Sequence, residues 1–165
     1  MNKAVWSGIV TAAAVLILGT PAFAQIVTTP VTVTANVNSK AKLALGTAAL
    51  SFGDADPDTD PTIVAPGFTV NVKARTTAGA AVTLTVLAGN DLLSGLDVIT
   101  IDNLTWAAAG TGFSAGTSNK TTAQTVGAWT GSGNQSGSQT YSLVNSWAYA
   151  TGTYTATLTY TLTVP

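Results

Sequence analysis

The stretch Gly152-Thr-Tyr-Thr-Ala-Thr-Leu-Thr-Tyr-Thr-Leu-Thr-Val-Pro165 decides the fold of this chain. Across residues 153–163 every second residue is threonine, and the residues between them are apolar or aromatic. Successive side chains of a β-strand point to opposite faces, so this segment predicts a strand with one apolar face and one hydroxyl face. Helical spacing would scatter the same residues around a cylinder. The apolar face, which includes Tyr160 and Leu162, therefore requires a second sheet to cover it.

Four further segments alternate in the same way and are predicted as strands. They are residues 31–38, 68–75 and 82–87, together with 98–106, whose phase slips near Asp102 and calls for a β-bulge. A shorter strand is expected within residues 43–52, and weaker ones at 121–129 and 139–146. We expect residues 68–75 and 82–87 to form a hairpin, and the polar tract 131–138 to be a hairpin loop. The total of about eight or nine short strands without helical periodicity predicts an all-β fold, an antiparallel sandwich of immunoglobulin-like or jelly-roll type.

The beginning of the sequence has the features of a secretory signal. Met1-Asn-Lys3 is a short positive start, residues 4–18 are mostly apolar, and Pro21-Ala-Phe-Ala24 places small residues where a signal peptidase reads them. We therefore expect residues 1–24 to be removed and residues 25–165 to form a single exported domain in the periplasm, on the cell surface or outside the cell. No other stretch is apolar for long enough to suggest a membrane span.

The composition argues against several classes of function. Histidine and cysteine are absent and the only acidic residue type is aspartate, so hydrolase triads, thiol nucleophiles and zinc sites lack their usual residues. Without Lys3, five basic residues face seven aspartates, and no basic patch could follow a phosphate backbone. We therefore expect a non-catalytic structural or binding protein that does not bind nucleic acid.

The densest cluster of charge is a candidate calcium site. Asp54, Asp56, Asp58 and Asp60 alternate with small residues and prolines, and hard cations prefer several carboxylate oxygens on a turn. The glycine and glutamate of an EF-hand loop are missing from this stretch. The alternative is a solvated turn whose aspartates cap neighbouring amides.

Other polar and aromatic residues suggest an interaction surface. Lys73 and Arg75 lie on the outward face of the predicted strand 68–75, where with Lys40 and Lys42 they could hold an anionic polymer, or simply keep that face soluble. Trp106, Trp129 and Trp147 are expected to pack in the core or at sheet edges rather than to form a sugar-binding platform.

Two places resemble the WxL domain of bacterial cell surfaces. Residues 154–165 are similar to the threonine-rich ending of that family, with Tyr160-Thr-Leu162 at the Trp-x-Leu motif. Residues 74–79, followed by 82–86, resemble the first motif region, with Val82 in place of tryptophan. The resemblance implies a module that binds the cell wall or a glycan. The ending also resembles secreted fimbrial and spore-coat-type β-sandwich subunits, although such patterns are weakly specific.

The fimbrial resemblance, together with the regular strands at both ends of the domain, raises the hypothesis of self-association. An exposed strand edge is a template for another strand, and fimbrial subunits polymerise by lending a strand to a neighbour. Val31, Val33 and Val37, with Ala35, would then be donor residues, and the strand of Tyr160 and Leu162 would border the acceptor groove. The alternative is that both strands pair within one chain. A third hypothesis is ice or crystal-surface binding by the threonine face.

Overall fold

The computed structural model describes residues 27–165, so the predicted signal at residues 1–24 lies outside the described residues. Residues 27–165 form eleven β-strands, one short 3-10 turn and no α-helix. The strands are β1 (Lys40–Leu45), β2 (Thr62–Val64), β3 (Phe68–Arg75), β4 (Ala81–Ala88), β5 (Leu92–Ser94), β6 (Asp97–Ile99), β7 (Leu104–Ala109), β8 (Gly116–Thr117), β9 (Gln124–Thr130), β10 (Gly133–Val144) and β11 (Leu158–Thr163). The number exceeds the eight or nine predicted because β2, β5, β6 and β8 contain only two or three residues each, too few to show an alternation.

The strands form two main antiparallel sheets, which pack against each other and confirm the predicted all-β sandwich. The first sheet has the order β1-β3-β10-β7-β8, with β2 also paired to β10, and the second has the order β11-β4-β9. Strands β5 and β6 form a small separate sheet. Residues 36–165 form one compact unit that contains all of these strands, and residues 27–35 are not part of it. The described chain contains no helix with the length and apolar character needed to cross a membrane.

The core lies between β3 and β10 of the first sheet and β4 and β9 of the second. Strand β3 has the predicted bounds, and its inward residues Val70 and Val72 are fully buried, as are Leu84 and Val86 of β4. Burial of each such side chain stabilises the fold by about 1.5–3 kcal/mol. The outward residues of both strands are polar or only partly covered, so alternation in the sequence reports burial correctly here.

The predicted hairpin between β3 and β4 is wrong. Strand β3 pairs with β1 and β10 in the first sheet, whereas β4 pairs with β11 and β9 in the second. Residues 76–80 carry the chain from one sheet to the other, with Gly79 at a positive φ of 80°. Both strands have a strictly apolar inward face, and two such faces bury more surface when they face each other across the sandwich than when they lie side by side.

The predicted loop at residues 131–138 is also wrong, because most of it is the first half of β10. The turn is confined to Gly131, at a positive φ of 74°, and Ser132. Inward positions in this half of the strand are held by glycines and glutamine rather than by large apolar residues. At Gly137 a Cβ atom would lie 2.5 Å from the Phe113 ring, so glycine there makes room for an aromatic side chain. A polar, glycine-rich sequence therefore forms a central strand.

The phase slip near Asp102 is real, but its cause is a 3-10 turn at Ile101–Asn103 and not a bulge. The turn separates β6 from β7 and leaves Ile99, Ile101, Leu104 and Trp106 all buried. A register shift does occur elsewhere, between β4 and β9 at Leu84/Thr85. The predicted strand within 43–52 lies earlier, as β1.

The predicted first strand at residues 31–38 is not a strand in this chain. The described residues 27–39 lack β-structure, and the sandwich begins with β1 at Lys40. An alternating valine pattern forms a strand only when it pairs with another strand, and these residues pair with none of the described strands. The last strand is likewise shorter than predicted, since β11 begins at Leu158 and only Thr155 continues it, as an isolated bridge to Leu93.

Candidate assembly site

The three valines predicted as donor residues are largely exposed. Val31, Val33 and Val37 have 84%, 87% and 68% of their surface accessible. They alternate with Thr32, Thr34 and Asn36, so an extended conformation would gather the valines on one face. Side chains of this kind are usually covered, and a regular row of them indicates an interaction surface. We call residues 27–38 the donor segment.

The sandwich has one side that is incompletely covered, between β1 and β11. Within the described residues β1 pairs only with β3, and β11 only with β4, so each strand has a free edge. The two strands are neighbours, and the Ser39 hydroxyl donates to the Pro165 carbonyl at 2.9 Å. Leu45 is 37% exposed, although its partner Val70 on β3 is 0% exposed. We call this region the open side.

The inward face of β11 lines the open side with half-buried apolar residues. These residues are Leu158, Tyr160 and Leu162, and Val164 follows them in phase just after the strand. Their two-residue spacing matches that of Val31, Val33, Ala35 and Val37, and each row is about 20 Å long at the rise of a β-strand. The structure therefore places the predicted acceptor residues Tyr160 and Leu162 at the free edge, as the donor hypothesis requires.

Tyr160 is also part of a polar network that joins the two sheets. Its hydroxyl donates to Gln139 Oε1 at 2.6 Å, and its oxygen lies 2.7 Å from the Tyr141 hydroxyl. Burial raises the pKa of Tyr141 to about 12 and also raises the pKa of Tyr160, so both phenols are neutral at physiological pH. Gln139 Nε2 is buried and has no hydrogen-bond partner within residues 27–165. The sequence analysis did not indicate this network, because Gln139 was predicted only as the first residue of a weak strand.

Four basic side chains come together on the outward face of the first sheet. Lys40 lies directly opposite Arg75, and Lys42 directly opposite Lys73, in the antiparallel pair of β1 and β3. We call these four residues the basic quartet. All of them are exposed, and the described residues offer them no ion pair. Arg75 Nε also donates to the Asn38 carbonyl at 2.8 Å, at the root of the donor segment. The sequence indicated these residues, but not that they face one another as pairs.

The four aspartates of residues 54–60, which we call the acidic loop, form a turn that caps its own amides. Asp56 Oδ1 accepts the amide of Asp58 at 2.9 Å, which is the alternative predicted from sequence. The Trp147 indole donates to Asp58 Oδ1 at 3.0 Å, and Asn145 Nδ2 donates to the Asp60 carbonyl at 3.0 Å. Within the described chain no three carboxylates converge as metal ligands. Calcium binding at Asp54, Asp56, Asp58 and Asp60 stays a prediction.

The three tryptophans of the described residues divide between packing and exposure. Trp106 is 2% exposed in the core, and Trp129 packs edge-on against Phe113 with ring centroids 5.0 Å apart, as expected. Trp147 is 70% exposed, so the expectation of packing is wrong for it. The loop that carries Trp147 follows the end of β10. There Asp58 of the acidic loop accepts the hydrogen bond of the indole N–H at the surface.

The threonine face of β11 is extended by its neighbour. Thr161 and Thr163 lie opposite Thr85 and Thr83 of β4, which the sequence analysis did not place beside them. The next pair brings Leu87 opposite Thr159, which interrupts the array. Adjacent strands also rotate by about 20–25° relative to each other, so these rows do not form a flat lattice.

Comparison with models of known families gives no match, and a search among curated proteins finds no significant sequence similarity. The resemblance to WxL and fimbrial proteins therefore stays a prediction. In this fold Val82 is 1% exposed and Tyr160 faces the core side of β11, so both motif positions serve packing. The functional argument rests on the arrangement of the side chains themselves.

Proposed function

We propose that this chain is a non-catalytic exported structural protein of the bacterial envelope or of a surface appendage. Its copies assemble when the donor segment of one copy adds a strand to the free edge of β11 in the next. The observations that carry this proposal are the exposed row of Val31, Val33 and Val37 and, on the sandwich itself, an open side whose apolar residues are half-covered.

The pairing satisfies the chemistry of both surfaces. An added strand bonds the free N–H and C=O groups of β11, and its valines cover Leu158, Tyr160 and Leu162. Each buried valine contributes about 1.5–3 kcal/mol, from which the cost of ordering the segment is subtracted. The threonines of the donor segment remain in water, as an amphipathic edge strand requires.

The absence of catalytic residue types in the sequence supports a structural role. The chain has no histidine or cysteine. Its buried phenols, Tyr141 and Tyr160, have raised pKa values and bind each other and Gln139, so they are not prepared to act as bases or nucleophiles.

The test is light scattering after size exclusion on the exported protein. The variant Val31→Asp/Val33→Asp/Val37→Asp should be a folded monomer, whereas the unmodified protein gives a ladder of multiples. The matched control Thr32→Asp/Thr34→Asp/Asn36→Asp adds the same charge to the opposite face and should still assemble. Assembly by the valine variant would show that the donor segment is not the connector.

A second candidate function is binding of an anionic cell-wall polymer, which the basic quartet favours. Lys73 and Arg75 are exposed and lie directly opposite Lys42 and Lys40. Four positive charges therefore lie together on one face, where a single anionic polymer could contact all of them. Co-sedimentation with purified sacculi measures this function. Binding that is unaffected by Lys73→Ala/Arg75→Ala would exclude the quartet as the site.

A further inference from the structure

The charges of the described chain are separated into two clusters. The basic quartet holds four of the five basic residues after Lys3, and the fifth, Lys120, forms an ion pair with Asp91. The acidic loop holds four of the seven aspartates. Within residues 27–165 neither cluster neutralises the other, because that one ion pair is the only one found.

The two clusters lie at opposite ends of the longest strand. Lys73 is opposite Asn134, near the start of β10. The acidic loop is attached at the other end, where Asn145 follows Val144 and binds the Asp60 carbonyl. Ten residue steps along β10 lead from Asn134 to Val144, so these two strand positions are about 33 Å apart.

The donor segment is joined to the sandwich at the basic end. Residue 38 is held there by Arg75, and Ser39 binds Pro165 beyond the end of β11. If a donor segment pairs antiparallel with β11 of a neighbour, its residue 38 reaches the Leu158 end. In the acceptor copy, the Leu158 end of β11 is the end of the sandwich away from its own basic quartet. The acidic loop of the acceptor lies at that same end.

We propose that the basic quartet of one copy binds the acidic loop of the next copy and fixes the order of assembly. This inference rests on the proposed strand donation. Like charges directly opposite on neighbouring strands destabilise a sheet, and acidic side chains from a second copy relieve that repulsion. The opposed charges steer the encounter of two copies and disfavour contacts between like ends. The alternative occupant of the quartet, an anionic polymer, is an outcome of the test.

The experiment uses paired charge reversals in the full exported protein. One variant is Lys42→Glu/Lys73→Glu, which keeps the hydrogen bond from Arg75 to Asn38. The other is Asp54→Lys/Asp60→Lys, which keeps the hydrogen bonds that Asp56 accepts from the Asp58 amide and Asp58 from the Trp147 indole. Each variant alone should assemble at least about tenfold more slowly than the unmodified protein at low salt. An equimolar mixture should recover part of the rate, because the unaltered quartet of one variant then meets the unaltered acidic loop of the other, whereas the two altered clusters are each neutral overall. The matched control is Asp97→Lys/Asp102→Lys, which should assemble normally.

The outcomes separate this inference from the proposed function. Circular dichroism melts confirm that each variant is folded before its assembly is measured. If the valine variant is monomeric but the charge variants assemble at the normal rate, only the charge contact is overturned. If the valine variant assembles, strand donation fails and the charge inference fails with it. If each variant alone assembles slowly and the mixture does not rescue the rate, the contact between copies is overturned. In that case, loss of sacculus binding by Lys42→Glu/Lys73→Glu assigns the quartet to an anionic polymer.

Discussion

Tyr160 contributes to stability through its hydroxyl as well as its ring. The change Tyr160→Phe removes the donor to Gln139 Oε1 and the partner of Tyr141. Unfolding should become easier by about 1–3 kcal/mol, the usual cost of leaving buried polar groups unpaired. The change Gln139→Met should cost less, because it also removes the unpartnered Nε2 and leaves the two phenols bonded. Urea unfolding measures both. A larger loss for Gln139→Met would contradict this account of the network.

Asp91 makes the free energy of unfolding depend on pH in the acid range. Its carboxylate binds Lys120 and accepts the Ile101 amide at 3.0 Å, and these two contacts lower its pKa from the ordinary 3.8. The unfolded chain therefore takes up the proton first as pH falls. The stabilisation by Asp91 is present above its ordinary pKa, about pH 4, and is lost as pH falls through its lower pKa in the folded protein. Asp91→Asn should lower the melting temperature at pH 7, and the difference from the unmodified protein should shrink by pH 3. An equal difference at both pH values would exclude this role.

At the scale of the element, β10 depends on glycine at a crowded inward position. At Gly137 a Cβ atom would lie 2.5 Å from the Ala109 carbonyl oxygen and 2.5 Å from the Phe113 ring. Gly137→Ala should therefore cost about 1–3 kcal/mol through overpacking. Gly133→Ala on the same strand is the matched control, since its nearest neighbour is the flexible Gln135 side chain at 3.3 Å. Guanidinium unfolding compares them. Equal stability of the two variants would show that the strand can move to accept the methyl group.

Alternation in the sequence predicts a strand correctly where one face of the strand is buried and the other is exposed to water. This holds for β3, whose valines are buried and whose charges are exposed, and for the threonine-rich residues of β11. It fails for the first half of β10, residues 133–138, where glycine and serine carry no apolar signal although the neighbours β3 and β7 supply the hydrogen bonds. It fails in the opposite sense for residues 31–38, whose pattern is regular although they pair with none of the described strands. Pairing is a tertiary property that local pattern does not contain.

For the whole molecule, the candidate site depends on register and on sheet order. The sequence indicated Val31, Val33, Tyr160 and Leu162 as candidates for assembly, because their alternation is visible. The basic quartet could be recognised only from the register that places Lys42 opposite Lys73. The charge separation could be recognised only from the path of β10 between the two clusters. Such contacts join residues far apart in the chain, and no spacing rule reports them.

Strand donation also predicts that the donor segment acts when it is supplied separately. A synthetic peptide of residues 27–38 should bind the open side of the monomeric Val31→Asp/Val33→Asp/Val37→Asp variant and raise its melting temperature with increasing concentration. At a hundred times the dissociation constant the stabilisation is about 2.7 kcal/mol, because the peptide binds the folded state alone. The same peptide with aspartate at the three valine positions is the control and should have no effect. Scanning calorimetry over a peptide series measures the shift. A melting temperature that stays constant with the native peptide would show that the half-covered face of β11 does not accept this strand, and the valine row would then need another partner.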